Sequence, residues 1–342
     1  MILVTGAGGH LGANLVRRLV ADGHPIRALV YSELDRASVA GLPVESMSGD
    51  LQNPAFAAAA VQGCRQVYHC AAMVSTTSRN KSAIFGANVI ATKTLLRAAL
   101  AAGVEKMVVT GSFSAVGERQ NFASTEDDPF NPLQRHLPYG FAKAAVEHEC
   151  LKAFADGLPV VIAVSTAIVG PYDYQPSRMG HVLTRFAAGR IHAYVPGGFP
   201  FIAARDIVQG HILAMEKGRP GQKYIFETAF MTFDDMMQLY ASVTGRRVPP
   251  FRVPAKFMSV VTAVADAIQP YMRPNQALLL TPGAIQILAA NRRADISKAK
   301  AELGFQPTSI QAAVREAYDW FVERGAIVPL SYNADRTVEV GP

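Results

Sequence analysis

This amino-acid sequence predicts an α/β fold, a doubly wound parallel sheet followed by a smaller C-terminal lobe. Two observations carry that expectation. Strand-like and helix-like apolar patterns alternate through the first half of the chain. A glycine turn, Thr5-Gly6-Ala7-Gly8-Gly9-His10-Leu11-Gly12, joins the apolar run Ile2-Leu3-Val4 to a stretch at 13–20 with helical periodicity.

Strand, glycine turn and helix is the context of a Rossmann-type dinucleotide site, and it outweighs an ordinary turn. Gly6 would make the tight turn, Gly9 would let a pyrophosphate approach the backbone, and Gly12 would let the helix pack on the strand. The helix start, with His10 and Leu11, would offer its N–H groups to the phosphates.

The other elements follow in order. Residues 26–30 read as the second strand and 44–47 as the third, ending at Gly49-Asp50-Leu51. A short alanine-rich helix covers 54–61 and a fourth strand 66–69. A long helix spans 82–102, with Gly103 as its stop signal. Strand 106–110, helix 139–155 and strand 160–164 complete the alternation. Gly170-Pro171, Pro176, Pro196-Gly197-Gly198 and Pro200 then mark a loop-rich stretch. Helix 207–215, strand 224–226 and helix 233–244 ending at Gly245 come next. An apolar helix at 256–268 follows, with Pro270, Pro274 and Pro282 breaking the chain beyond it, and an amphipathic helix at 310–324 closes it. The expected division is a dinucleotide-binding part at 1–165, with 207–226 returning to it, and a substrate lobe at 166–205 and 230–330.

Composition narrows the classes. Half of the 342 residues are hydrophobic and 18% are charged, as in a packed globular protein. The net charge of +6 is scattered, with no basic run beyond Arg246-Arg247 or Arg292-Arg293, which argues against nucleic acid as a partner. The first strand begins at residue 2, which argues against a signal peptide, and no long uncharged apolar run suggests a membrane span. Cys64, Cys70 and Cys150 match no metal or disulfide framework and read as buried thiols of a reducing compartment, so a cytoplasmic location is expected. No metal site is expected. Helix 256–268 is apolar around most of its circumference; burial or a lid over a lipophilic cavity is preferred to a membrane contact.

Chemistry concentrates after the fifth strand. Tyr139 and Lys143 are four apart at a helix start and so share a face. The ammonium would lower the phenol pKa and let Tyr139 exchange a proton with a carbonyl or alcohol oxygen. Ser112 lies just past strand 106–110, where ligands of open α/β sheets bind, and would bond the same oxygen.

The set in its order resembles the extended short-chain dehydrogenase/reductases, the NAD-dependent epimerase/dehydratase superfamily. Its members are Gly6/Gly9/Gly12, Asp50-Leu51, His69-Cys70-Ala71-Ala72, Asn88 to Thr92, Ser112, Tyr139/Lys143 and Val169-Gly170-Pro171. The likeness is greatest to dihydroflavonol-reductase-like, 3β-hydroxysteroid-dehydrogenase-like and hopanoid-associated epimerase-like members. The resemblance implies that Asp50 bonds the adenine with Leu51 packed near it. Ala71 and Ala72 would lie along the cofactor, Lys143 would also bond the nicotinamide ribose, and Asn88 would hold the middle helix.

Cofactor choice turns on the end of the second strand, where an acid selects NAD and an arginine NADP. Tyr31-Ser32 stands there, Arg36 is near enough to reach a 2′-phosphate, and Glu33 competes with it. NADP(H) is therefore expected, with NAD(H) open. Met73, Val74, Ser114, Met179 and Phe199 are substrate candidates, as are Phe113 and Phe201.

The expected activity is NAD(P)-dependent hydride transfer to or from a carbonyl or secondary alcohol of a small, fairly lipophilic substrate. The alternative is a nucleotide-sugar epimerase or dehydratase with tightly held NAD, for which Arg178, Arg185, Arg190 and Arg205 could serve a diphosphate. A non-catalytic cofactor sensor ranks last. The helices at 82–102 and 139–155 would pair with a twin in a homodimer, or else pack wholly on the sheet.

Overall fold

The computed structural model describes residues 1–77, 80–119, 121–133, 137–272 and 280–330. The strands are β1 (Ile2–Thr5), β2 (Ile26–Val30), β3 (Val44–Ser48), β4 (Gln66–His69), β5 (Lys106–Ser112) and β6 (Val160–Ser165), then β7 (Ala167–Val169), β8 (Ala193–Tyr194), β9 (Gly198–Ala203), β10 (Lys223–Phe226), β11 (Ala229–Thr232) and β12 (Phe251–Arg252). Seven of them form one sheet in the order β10-β6-β5-β4-β1-β2-β3. Every neighbouring pair in it is parallel. The order reverses between β1 and β4, which opens a crevice at the carboxyl ends of those strands.

The helices are α1 (His10–Ala21), α2 (Glu33–Val39), α3 (Pro54–Val61), α4 (Lys81–Phe85), α5 (Ala91–Ala101), α6 (Pro138–Ala155), α7 (Arg178–Ala187), α8 (Ala204–Glu216), α9 (Phe233–Thr244), α10 (Ala255–Met272), α11 (Pro282–Ala290) and α12 (Ile310–Glu323). Apolar residues of α3, α5 and α6 cover one face of the large sheet. Those of α1 and α8 cover the other. Strands β11-β9-β7 form a second sheet, and α7, α9 and α12 share a core with it.

Three differences from the sequence expectation have local causes. The long middle helix is α4 and α5 joined by a π-helical turn at Gly86–Ile90. Its 21 residues, Lys81–Ala101, are long and apolar enough to cross a membrane by length and composition, and 44% of an apolar 18-residue stretch within it is buried in the fold. Helices α2 and α7 arise in stretches that read as loops; Ser32 and Ser177 cap their first turns. Pro282 starts α11 instead of breaking the chain, since proline fits the first turn of a helix. Helix α10 likewise runs on through Pro270, while Pro274 lies outside the described residues.

Helix α10 also departs from the expectation of burial. Phe257, Val260, Val261, Val264 and Ile268 are all exposed, whereas Thr262 is buried.

Candidate active site

Ser112 ends β5, and its Oγ accepts the backbone N–H of Ser114, starting a short turn at Phe113–Ala115. The two hydroxyls, Ser112 Oγ and Ser114 Oγ, are 2.8 Å apart. Tyr139 stands in the first turn of α6, where the Ser112 side chain is near enough to its phenol to pull the pKa down. One turn further, the Lys143 ammonium is buried and donates to the Thr110 carbonyl at 2.8 Å. Ser112, Ser114, Tyr139 and Lys143 thus meet at the carboxyl edge of β5.

The electrostatics differ from the expected lowered phenol. Burial pushes the Tyr139 phenol up to about 12, with the Ser112 hydrogen bond opposing the rise. Burial brings the Lys143 ammonium down to about 8, and the groups that oppose that fall are Cys150, Cys70 and Glu147. The ammonium is anchored on the Thr110 carbonyl rather than set against the phenol, so desolvation decides both shifts.

A polar framework holds this floor. His69 Nδ1 lies 2.7 Å from Thr5 Oγ1 and its Nε2 lies 2.8 Å from Thr92 Oγ1, tying β1, β4 and α5 together. Burial drives the His69 imidazole down to about 3, so it bridges as a neutral ring. His211 plays the same part beneath Thr110, at 2.9 Å, and burial takes it down to about 4. Asn88, in the π turn, donates to the carbonyls of Met73 and Ile84 and accepts the Met73 N–H at 3.2 Å. That pins the loop after β4 to the middle helix.

The glycine turn fits a dinucleotide. Gly6 has φ +66°, and a Cβ there would lie 2.6 Å from the Ala71 backbone. A Cβ on Gly12 would lie 2.1 Å from the Gly6 carbonyl, so α1 packs tightly on its own turn. Gly9 is exposed, and a Cβ there would meet only the Gly6 carbonyl, at 3.4 Å. No side chain caps α1, so its first N–H groups can serve a phosphate. Leu11 is buried, and the His10 side chain turns to the Gly170 and Pro171 carbonyls at 3.2 and 3.1 Å, leaving only its backbone for a cofactor. Ala71 and Ala72 follow β4 beside Gly6. Asp50 is exposed after β3, its carboxylate accepting the Gln52 N–H at 2.9 Å, and Leu51 is buried beneath it.

Around β2, Tyr31 is 77% exposed and Arg36 pairs with Glu33 at 3.4 Å. Asp35 is the residue the sequence reading missed. Its carboxylate accepts the Ser32 N–H at 2.8 Å within the capping box of α2, and Gln175 donates to it at 2.7 Å. A Cβ on Gly8 would come within 2.2 Å of it, so an acid stands against the glycine turn. The Ser32-x-x-Asp35 spacing is a helix-start pattern that carried this signal.

The substrate candidates separate into two sets. Met73 and Val74 are exposed beyond β4. Phe113 is buried, with the Arg292 guanidinium 4.5 Å from its ring centre. Met179 and Phe201 are buried in the core cluster of the second sheet. Phe199 stacks on Phe201, ring centres 4.2 Å apart. A cavity of about 500 Å³, lined among others by Phe230, Gln238, Thr308 and Ile310, shares no residue with the Ser112–Tyr139 group.

Comparison with known proteins places this geometry. The family model described as NAD dependent epimerase/dehydratase family matches residues 2–226. "Sterol demethylase protein B" of Methylococcus capsulatus is 38% identical over 95% of this chain and 99% of that protein. "Putative dihydroflavonol 4-reductase" of Synechocystis sp. is 29% identical over 95% of each chain. Among solved structures, gox2253 superposes with a TM-score of 0.84 at 30% identity, over 96% of this chain and 99% of that one.

Proposed function

The chain belongs to the NAD dependent epimerase/dehydratase family, and from that footing we propose that it is a carbonyl reductase or alcohol dehydrogenase of lipophilic, sterol-like substrates. The observation that carries this reading is the Tyr139 phenol beside Ser112 at the end of β5, one helical turn before a buried Lys143 that donates to the Thr110 carbonyl. Similarity to a relative named for sterol demethylation supports the substrate class. When bound, a nicotinamide cofactor supplies or accepts the hydride. Gly6, Gly9, Gly12 and the backbone of His10 and Leu11 would hold its pyrophosphate. Asp50 and Leu51 would meet its adenine, Ala71 and Ala72 would flank it, and Lys143 would reach its ribose. Ser112 holds the substrate oxygen, Tyr139 exchanges a proton with it, and Ser114 orients the Ser112 hydroxyl. Met73 and Val74 line the approach. Residues 1–165 with 207–226 act as the cofactor-binding part, and 166–205 with 230–330 as the substrate lobe.

Cofactor choice is read from two side chains. Arg36, which would favour NADP(H), is engaged by Glu33, while the Asp35 carboxylate beside Gly8 suits a ribose diol and repels a 2′-phosphate. NAD(H) is the better fit to this pair. Exposed Ile90, Leu100, Phe141 and Leu151 on α5, α6 and the turn between α4 and α5 support a homodimer through those helices.

The test is a fluorescence titration with NADH and NADPH, then a turnover screen of ketosteroids and smaller ketones. Exchangeable NADH, tighter than NADPH, with ketone turnover is the expected result. Asp35→Asn should narrow the gap between the two cofactors. Tightly retained NAD with no ketone turnover would favour the nucleotide-sugar epimerase reading instead.

A further inference from the structure

Helix α10 is built inside out. At about 100° per residue, Phe257, Val260, Val261, Val264 and Ile268 fall within an arc of about 100°, and every one of them is exposed. The side turned to the protein carries Met258, Ser259 and Thr262, and the hydroxyls of Ser259 and Thr262 return to the carbonyls of Ala255 and Met258. A helix that sheds solvent only by folding would place its valines inward.

The charges beside the stripe share one sign. From Gly245 to Met272 the sequence holds Arg246, Arg247, Arg252 and Lys256 against one acid, Asp266, whose position on α10 is on the side opposite the stripe. Arg247 and Lys256 are exposed, and so are Arg190 and His192 just before β8, the strand paired with β12 at the start of this segment. The neighbouring acid, Asp234, is already paired with Arg252 at 2.7 Å. Phe251, in β12, is exposed as well.

We propose that the outer stripe of α10 docks on an anionic lipid surface, lying in the interface with Phe257, Val260, Val264 and Ile268 inserted among the headgroups. A Phe/Val/Ile stripe bordered by basic residues is the pattern of an interfacial helix. Acidic lipid would draw Arg247 and Lys256 over a range set by ionic strength. A second copy of the chain fits less well. The stripe is one helix wide and about 17 Å long, far below the roughly 800 Å² per partner of a stable interface.

The experiment is co-sedimentation of the full chain with phosphatidylcholine vesicles, with and without phosphatidylglycerol. The expected result is binding to the anionic vesicles that is at least tenfold stronger than to neutral ones and falls as salt rises. Val260→Asp with Val264→Asp, both on the exposed side, should abolish sedimentation while the thermal melt and cofactor titration stay as in the parent. Lys256→Glu should weaken binding to anionic vesicles alone. Phe257→Trp should be quenched by brominated acyl chains. Absence of sedimentation with anionic vesicles would overturn the proposal. So would sedimentation unchanged in the double variant, or a double variant whose only effect is to convert a dimer to a monomer.

Discussion

Tyr139 loses only a hydroxyl on substitution by phenylalanine, and its neighbours Ser112 and Lys143 are held by their own partners. The thermal melt should therefore be unchanged. If Tyr139 is the proton donor proposed above, the variant should lower kcat by about 10²–10⁴-fold, with cofactor affinity retained; near-full turnover would remove Tyr139 from the reaction. Glu227 makes a second residue-scale case. It follows β10, is buried, and its Oε1 has no hydrogen-bond partner among the described residues. Burial pushes its carboxyl up to about 7, against the pull of Arg293 and Lys300. A carboxyl raised on folding binds its proton more tightly in the native state. The cost of ionising it is thus absent below about 4.5, grows between 4.5 and 7, and is constant above. Glu227→Gln should stabilise the protein at pH 8, by up to about 3 kcal/mol, and leave it unchanged near pH 4. Melts at the two pH values check this, and equal shifts at both would contradict it. The pairing of Tyr139 with Lys143 was legible from spacing, since four residues make one helical turn. Glu227 was not, because only the fold strips water from its carboxylate.

At the scale of elements, the π turn at Gly86–Ile90 is the feature that joins the middle helix to the site. It contains Asn88, whose amide satisfies both backbone groups of Met73 and the Ile84 carbonyl. Asn88→Ala would strand those groups, at a cost of about 1–3 kcal/mol for a buried unsatisfied donor or acceptor. The expected outcome is a lower denaturant midpoint together with a raised KM, because the loop carrying Met73 and Val74 loses its anchor. An unchanged KM would mean that the loop holds itself. Helix existence was readable wherever apolar periodicity ran long, as in α1 and α12. Short helices escaped because their caps, Ser32 for α2 and Ser177 for α7, are common loop residues until the chain turns around them.

For the whole molecule, α5 and α6 cover one face of the sheet yet keep Leu100 and Leu151 at the surface. If those helices pair with a twin, light scattering should find a dimer. Leu100→Glu with Leu151→Glu should then convert it to a monomer, with the melt lowered only to the extent that dimerisation stabilises the fold. A monomeric parent chain would end the proposal.

The sequence by itself determined the parallel sheet, the glycine turn, the Tyr139–Lys143 pair and the place of Ser112, because each is written in local pattern: short apolar runs, a fixed run of glycines, a four-residue helical spacing and a serine at a strand's end. Tertiary structure alone decided three other matters. It set the sign of the Tyr139 shift, since burial outweighs a lysine anchored on the Thr110 carbonyl. It brought Asp35 of α2 against Gly8, residues 27 positions apart, where a charge can act on a cofactor. And it turned the apolar stripe of α10 outward: periodicity shows that a helix has an apolar side, but only packing determines which way that side faces.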